Sequence, residues 1–440
     1  MEIAAGPAPV RAKDRYESLD VIRGVALVGI LLMNITGFGL PDAYDDPTVS
    51  GGATGWNLWA WQITEIGFEG TQRGLFSLLF GAGVILLTSR LEAAGRTDVA
   101  DIYYRRNLWL IVFGIVHAYL LLWWGEILYA YGVTALFLYA LRNLAPRWLI
   151  AIGVAGFIVS TAWNYSETRG KLDMAAESSV AEKVKASGAK LTEGQQKAID
   201  DWKEHVSEAK PDAKALKETI DARRGSYGDV LESIIPLNHK VQSWWMYRFF
   251  FDIFSMMLFG MALFKLGVLT LELKTSTYLA MAVAGYAVGV TTNTLEVRWI
   301  LDHGFSVLSF AEAEVSYDLG RVAMTIGHLG ALLLFCKSGV FGWLRRSLAA
   351  VGTLAFTNYV SHSLICAVIF YGFGFGLYGQ LERHQLYSVV FGIWLFQLIV
   401  SPIWLRYFRY GPLEWVWRWL TYLKRPPMRR KTGGATAAAI

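Results

Sequence analysis

The chain has 440 residues, 54% of them hydrophobic and only 18% charged, with 18 tryptophans and a formal net charge of +5. Mean hydropathy is +0.35, whereas soluble domains are about a quarter charged and lack repeated apolar runs of about twenty residues. Disorder, a coiled-coil or collagen-like rod and a small disulfide scaffold are excluded, a soluble enzyme nearly so, and the composition is that of an all-α polytopic membrane protein.

Met1–Tyr16 has no hydrophobic centre, so residues 1–18 read as a cytoplasmic N-terminus rather than a cleaved signal. A span needs about 20 apolar residues. Ten stretches qualify: 19–40, 69–90, 104–124, 126–143, 147–164, 243–267, 275–293, 319–337, 347–370 and 386–407. They form two five-helix halves, 19–164 and 243–424, followed by a tail at 425–440 that is expected to be disordered. Connections alternate in charge. One side carries Arg11, Lys13 and Arg15, then Arg90, Arg96, Arg105 and Arg106, and later Lys337, Arg345, Arg346, Arg406 and Arg409. The other carries Asp42, Asp45, Asp46 and Glu126. Basic loops stay inside, so both termini are expected in the cytoplasm of a bacterium, with the chain in its cytoplasmic membrane. Between the halves, the polar insert 165–242 is rich in Ala, Lys, Glu and Asp and reads as an extracytoplasmic helical hairpin. A spacer is its safest role; lid and partner surface stay open.

An ionisable group at mid-bilayer costs at least about 2.5 kcal/mol, so those inside spans are candidates for function. The first span has Asp20, Arg23 and Asn34. Arg23 and Asn34 are eleven residues apart, share a face and stand roughly 16 Å apart along the axis. The bland reading of Asp20 and Arg23 is an ion pair at the helix end. His117 lies eleven residues beyond Arg106, and Glu126 follows nine residues later. On a continuous helix that carboxylate would be some 13 Å from His117, so partnership requires a break. Glu69 with Arg73, and Arg248 with Asp252, are each one turn apart and read as anchoring salt bridges or as cavity lining. Asp318, Arg321 and His328 mark the eighth span, and Thr357-Asn358-Tyr359 with His362-Ser363 the ninth. Gly285 and Gly289 imply only close helix packing. Together these groups suggest a cavity open outward above a basic cytoplasmic rim, which would suit an acyl-transfer enzyme or a transporter. Neither a Walker sequence nor HExxH, Gly-x-Ser-x-Gly or an internal repeat occurs. Cys336 and Cys366 sit in apolar runs, and neither a disulfide nor a metal site is expected.

The opening Arg15-Tyr16-Glu17-Ser18-Leu19-Asp20-Val21-Ile22-Arg23-Gly24-Val25-Ala26, with Asn34, resembles the first span of the transmembrane acyltransferases related to heparan-α-glucosaminide N-acetyltransferase. Phe76-Ser77-Leu78-Leu79-Phe80-Gly81-Ala82-Gly83, His117 through Gly125-Glu126-Ile127-Leu128, Thr357-Asn358-Tyr359, Ser363, Gln397, Ser401-Pro402 and Gly411-Pro412-Leu413-Glu414-Trp415 resemble the YeiB-like bacterial branch. The likeness covers nearly the whole chain outside the insert. It implies transfer of an acyl group, acetyl in the first instance, from cytoplasmic acyl-CoA to an outer acceptor: a glycan, a lipid or a small molecule. Arg23 matches the Arg-x10-His pattern of the related acyltransferase family 3, whereas Asn34 stands at the His position, as in the heparan-type enzymes. His362 stands where the branch more often has Gln.

On that basis Arg23, Arg105 and Arg106 would hold acetyl-CoA and His117 would be the general base. Asn34 or Asn358 would stabilise the oxyanion, and Glu126 would orient His117. Glu69, Arg73, Arg248, Asp252 and His362 would line the acceptor side. No nucleic-acid partner is expected; the oligomeric state, a homodimer included, is open. The second reading is a transporter for a polar or anionic solute, and the third a scaffold that presents the insert.

Overall fold

The computed structural model describes residues 16–42, 44 and 46–430. Arg11, Lys13, Arg15, Asp45 and the tail past residue 430 lie outside the described residues. The described chain is all-helical. In order it forms α1 (Glu17–Gly39), α2 (Gly55–Gly67), α3 (Thr71–Ala93), α4 (Val99–Tyr119), α5 (Leu128–Leu141), α6 (Pro146–Ala186), α7 (Glu193–Ala209), α8 (Ala213–Arg223) and α9 (Tyr227–Lys240). A π-helical turn, Val241–Trp245, leads into α10 (Met246–Lys265), followed by α11 (Thr275–Asp302), α12 (Val307–Ala313), α13 (Tyr317–Ser338), α14 (Gly342–Thr353), α15 (Ala355–Phe370), α16 (Arg383–Tyr407) and α17 (Pro412–Tyr422).

Among the described residues, six helical segments are long and apolar enough to cross a membrane, or seven if the bent pair α14–α15 counts as one span. The count of about ten is therefore not confirmed. Each of the ten stretches falls on a helix, but α5 has only 14 residues and α4 opens on Asp101, Arg105 and Arg106. In α11, Thr, Tyr and Gly dilute the apolar run. The ninth stretch breaks at Leu354, where α14 and α15 meet at 82°. The insert is helical but is more than a hairpin. It consists of the C-terminal turns of α6 together with α7, α8 and α9, the last three opened by Thr192, Asp212 and Ser226, whose side chains accept backbone N–H bonds.

Helices meet through glycine. A Cβ on Gly81 of α3 would fall 1.8 Å from the Met257 carbonyl oxygen of α10, and one on Gly260 would fall 1.8 Å from that of Leu78. Gly24 and Gly352 make the same close approach between α1 and α14. Gly285 and Gly289 press α11 onto the backbone of α13 at Gly327 and Met324, the packing expected of that pair. Where backbones touch, even a methyl group forces the helices apart. Gly81→Ala should therefore lower stability by roughly 1–3 kcal/mol. Gly83→Ala, on the same helix with nothing within 4 Å, should be neutral or better. Thermal unfolding of the two variants in detergent checks this.

Candidate functional site

His117 ends the buried face of α4, and two residues later the helix stops. The chain then turns through Leu122 at φ 58° and re-enters a helix at Leu128. This break supplies the partnership that a continuous helix forbids. Glu126 caps the start of α5, accepting from the backbone N–H groups of Leu128 and, at 2.9 Å, Tyr129. Its Oε1 comes to 3.7 Å from His117 Nδ1, with the two side chains 0% and 1% exposed. On the other edge of the ring, His117 Nε2 lies 2.7 Å from the Ser363 hydroxyl of α15. The Tyr359 ring packs edge-on against the imidazole at 5.1 Å.

Two further polar groups surround this centre. The Tyr359 hydroxyl has the Trp123 indole and the Ile127 backbone as neighbours. Neither that hydroxyl nor the Trp123 N–H makes a hydrogen bond of normal geometry, although both are buried. Trp123 stacks on Phe38 of α1 with ring centroids 3.7 Å apart. Asn34 is one turn before Phe38 and so shares that face of α1.

Asn358 and His362 lie on a different face of α15. The Asn358 amide donates to the Val351 carbonyl and to the Ser401 hydroxyl, at 3.2 and 3.1 Å. His362 pairs with Gln397 at 3.1 Å, and Gln397 donates to the Asn358 carbonyl at 3.0 Å. This ladder bolts α15 to α16 and accounts for Gln397 and Ser401 as neighbours of the site. Glu414 of α17 secures the other end of α15: it accepts from Phe356 N at 2.7 Å, Thr357 N at 3.0 Å and the Thr357 hydroxyl at 2.5 Å. A carboxylate there satisfies N–H groups that a broken helix leaves unpaired.

At the opposite end of α4 the expected basic group is only partly assembled. Arg23 pairs with Asp20 at 3.0 Å and reaches the Gly352 carbonyl at 3.5 Å. Arg106 stacks 3.6 Å over Trp417 and has Arg23 and Arg418 as like-charged neighbours. Arg105 instead donates to the Thr421 carbonyl at 2.9 Å, tying α4 to α17. Arg418, which the sequence offered only as one more basic residue near the C-terminus, joins the cluster from α17.

A second group of charges sits where α3, α10 and α13 meet. Asp252 lies between Arg73 at 3.4 Å and Arg321 at 2.5 Å. Arg321 also pairs with Asp318 at 3.2 Å, and Thr161 donates to Asp318 at 3.1 Å. Glu69 and Arg73 meet only through the Tyr317 hydroxyl, at 3.1 and 3.4 Å. Arg248 does not pair with Asp252; it pairs with Glu167 at 2.7 Å and with Asn164. No group of three or more His, Cys, Asp or Glu poised to hold a metal occurs among the described residues. Both cysteines are free thiols.

These features define a polytopic helical membrane protein with an imidazole centre buried between a hydroxyl and a carboxylate. Residues 263–424 match the family described as a protein of unknown function, DUF418. The chain is 31% identical to the uncharacterized protein YeiB of Escherichia coli (strain K12), across 95% of this chain and 99% of that one. It is 27% identical to the uncharacterized protein YxaH of Bacillus subtilis (strain 168), across 96% and 98%. The chain belongs to this YeiB-like family. No solved structure matches it.

Two stability predictions follow from the pairings. Asp252→Ala removes the carboxylate of Arg73 and one of the two that Arg321 pairs with and should lose about 3–5 kcal/mol, part of which Asp252→Ala with Arg321→Met regains. Glu414→Ala should lose about 2 kcal/mol by uncapping α15, and Glu414→Gln less, because its amide oxygen still accepts. Denaturation in detergent measures both.

Proposed function

We propose that the protein is an integral-membrane acyltransferase of the bacterial cytoplasmic membrane. It moves an acyl group, acetyl in the first instance, from cytoplasmic acyl-CoA to a hydroxyl or amine at the outer side, and both termini lie inside. The observation that carries this reading is the layout of α4. Arg106, Arg23 and Arg418 gather at one end, where Asp20 pairs with Arg23. That excess of positive charge suits the phosphates of CoA. Eleven residues further along, roughly 16 Å, the same helix presents His117. An extended pantetheine arm laid along α4 joins the two ends. His117, backed by Glu126, takes the acceptor's proton, and the Asn34 amide is available to the acyl oxygen. The acceptor enters from the side where α1 ends. An open cleft of about 580 Å³ lies there, lined by Leu40, Trp56, Asn57, Ile220, Glu382 and His384. An aromatic ring beside paired polar groups suits a glycan or a polar headgroup.

A transporter is the second reading, favoured by one observation. The network of Glu69, Arg73, Asp252, Asp318 and Arg321 leaves the Arg321 Nε and Nη1 and the Arg73 Nε without partners in the protein. Such guanidiniums would suit an anionic solute in transit.

Acetyl-CoA at a hundred times its Kd should stabilise the purified protein by about 2.7 kcal/mol. The shift should vanish in Arg23→Ala with Arg106→Ala, and free CoA should reproduce much of it where ADP does not. No shift with acetyl-CoA or longer acyl-CoAs, together with counterflow of an anion in proteoliposomes, would move the assignment to transport.

A further inference from the structure

We propose that Ser363 is a nucleophile, so that the transfer proceeds in two steps through an acyl-serine. This rests on the acyltransferase reading above and deepens it. The first ground is what Ser363 does not do. Two buried helical threonines, Thr88 and Thr325, return their hydroxyls to a carbonyl one turn back. Ser363 instead sets its hydroxyl 2.7 Å from the His117 Nε2, on another helix. The second ground is the carboxylate at 3.7 Å on the far edge of that imidazole. Nδ1 is buried with no hydrogen-bond partner, so a proton placed there points toward Glu126 and leaves Nε2 to accept from Ser363. Such contacts run long without substrate and tighten when it binds. Glu126 is itself held by two backbone N–H groups. These keep it an acceptor and fix its direction.

The third ground is the Tyr359 hydroxyl. Its ring packs on the imidazole, its oxygen faces the Trp123 indole and the Ile127 backbone, and its own proton has no acceptor of normal geometry. An unpaired buried donor is costly, and it is free to serve an oxygen that arrives beside it. That hydroxyl can give a tetrahedral oxyanion one hydrogen bond. The contrast with His362 is internal: equally buried and one residue from Ser363, it faces the Gln397 amide, and no hydroxyl bonds to it.

In the first step Ser363 Oγ attacks the thioester carbonyl, and its proton passes to His117 Nε2. The C–S bond breaks and the CoA thiolate leaves with that proton. In the second step the acceptor hydroxyl or amine attacks the serine ester and gives its proton to Nε2. The ester C–O bond breaks, and the proton returns to Ser363 Oγ. Nucleophile, base and orienting carboxylate thus form the arrangement long associated with acyl transfer on soluble folds.

The test uses the full-length protein in detergent with two probes, radiolabelled acetyl-CoA and a small alkyl fluorophosphonate, each followed by acid quench and peptide mapping. Both are expected to modify Ser363. Ser363→Ala should abolish labelling, and His117→Ala should slow it by at least about 100-fold. Glu126→Gln should also slow it, with thermal midpoints reporting that each variant is folded. Phosphonylation of Ser363 without CoA release would keep the nucleophile and overturn acyl-CoA as donor. CoA release and acceptor acetylation by Ser363→Ala at the parent rate, with no fluorophosphonate adduct on the parent, would overturn the nucleophile and leave direct transfer by His117. Absence of both modification and turnover would overturn both.

Discussion

Charge and hydrogen-bonding groups placed between apolar helices must be paired where they stand, because lipid offers them no partner. The architecture follows from that constraint. Asp252 is the clearest case: one carboxylate on α10 is shared by guanidiniums from α3 and α13. Each helix is thereby fixed in rotation as well as in position, since turning any one of them would strand a charge. The glycine contacts of α3 on α10 and of α11 on α13 bring the backbones close enough for these short-range pairs to form. Close packing and buried polarity therefore depend on each other in this fold.

The same constraint explains the region around His117. Ending α4 at Tyr119 exposes carbonyl oxygens that a continuous helix would use internally. Three of them are taken from outside the helix: Ala118 by Asn238, Leu120 by Tyr227 and Leu122 by Tyr371. Tyr131, which bonds Ser77 and the Arg73 carbonyl, stands between the charged cluster and Tyr359. The imidazole centre and the charge network thus share a polar seam through one part of the bundle.

Much of this was legible in the sequence. Apolar run length located the helices, and the density of ionisable residues singled out His117, Glu126, Glu69, Arg73, Arg248 and Asp252. What periodicity could not supply was partnership between elements. A spacing of four places Arg248 and Asp252 on one face, yet they bond to α6 and α3 respectively, because side chains on one face diverge toward different neighbours. Glu126 reached His117 only because the helix ends, and a helix end inside an apolar run has little local signature beyond Gly125. Ser363 was visible as a residue, but its role depends on which helix lies opposite, and only packing decides that. Asn358, by contrast, had the right chemistry on a face of α15 committed to Ser401.

The insert also changes meaning once these bonds are traced. Two of the three donors that satisfy the end of α4, Asn238 and Tyr227, belong to α9. Val230 and Ile234 of the same helix are buried against the cluster that contains Trp123 and Tyr371. The backbone of Arg223 accepts from Gly372, the side chain of Arg224 donates to the Tyr378 carbonyl, and Lys210 pairs with Asp46, so the insert is fastened to several loops of the bundle. These contacts tie the insert to the bundle. The end of α4 needs them, because without outside donors its carbonyls would favour continuing the helix, and a longer α4 would carry Glu126 away from His117. The polar chain between the two halves therefore belongs to the same structural unit as the imidazole centre, and it helps hold open the break on which the geometry of that centre depends.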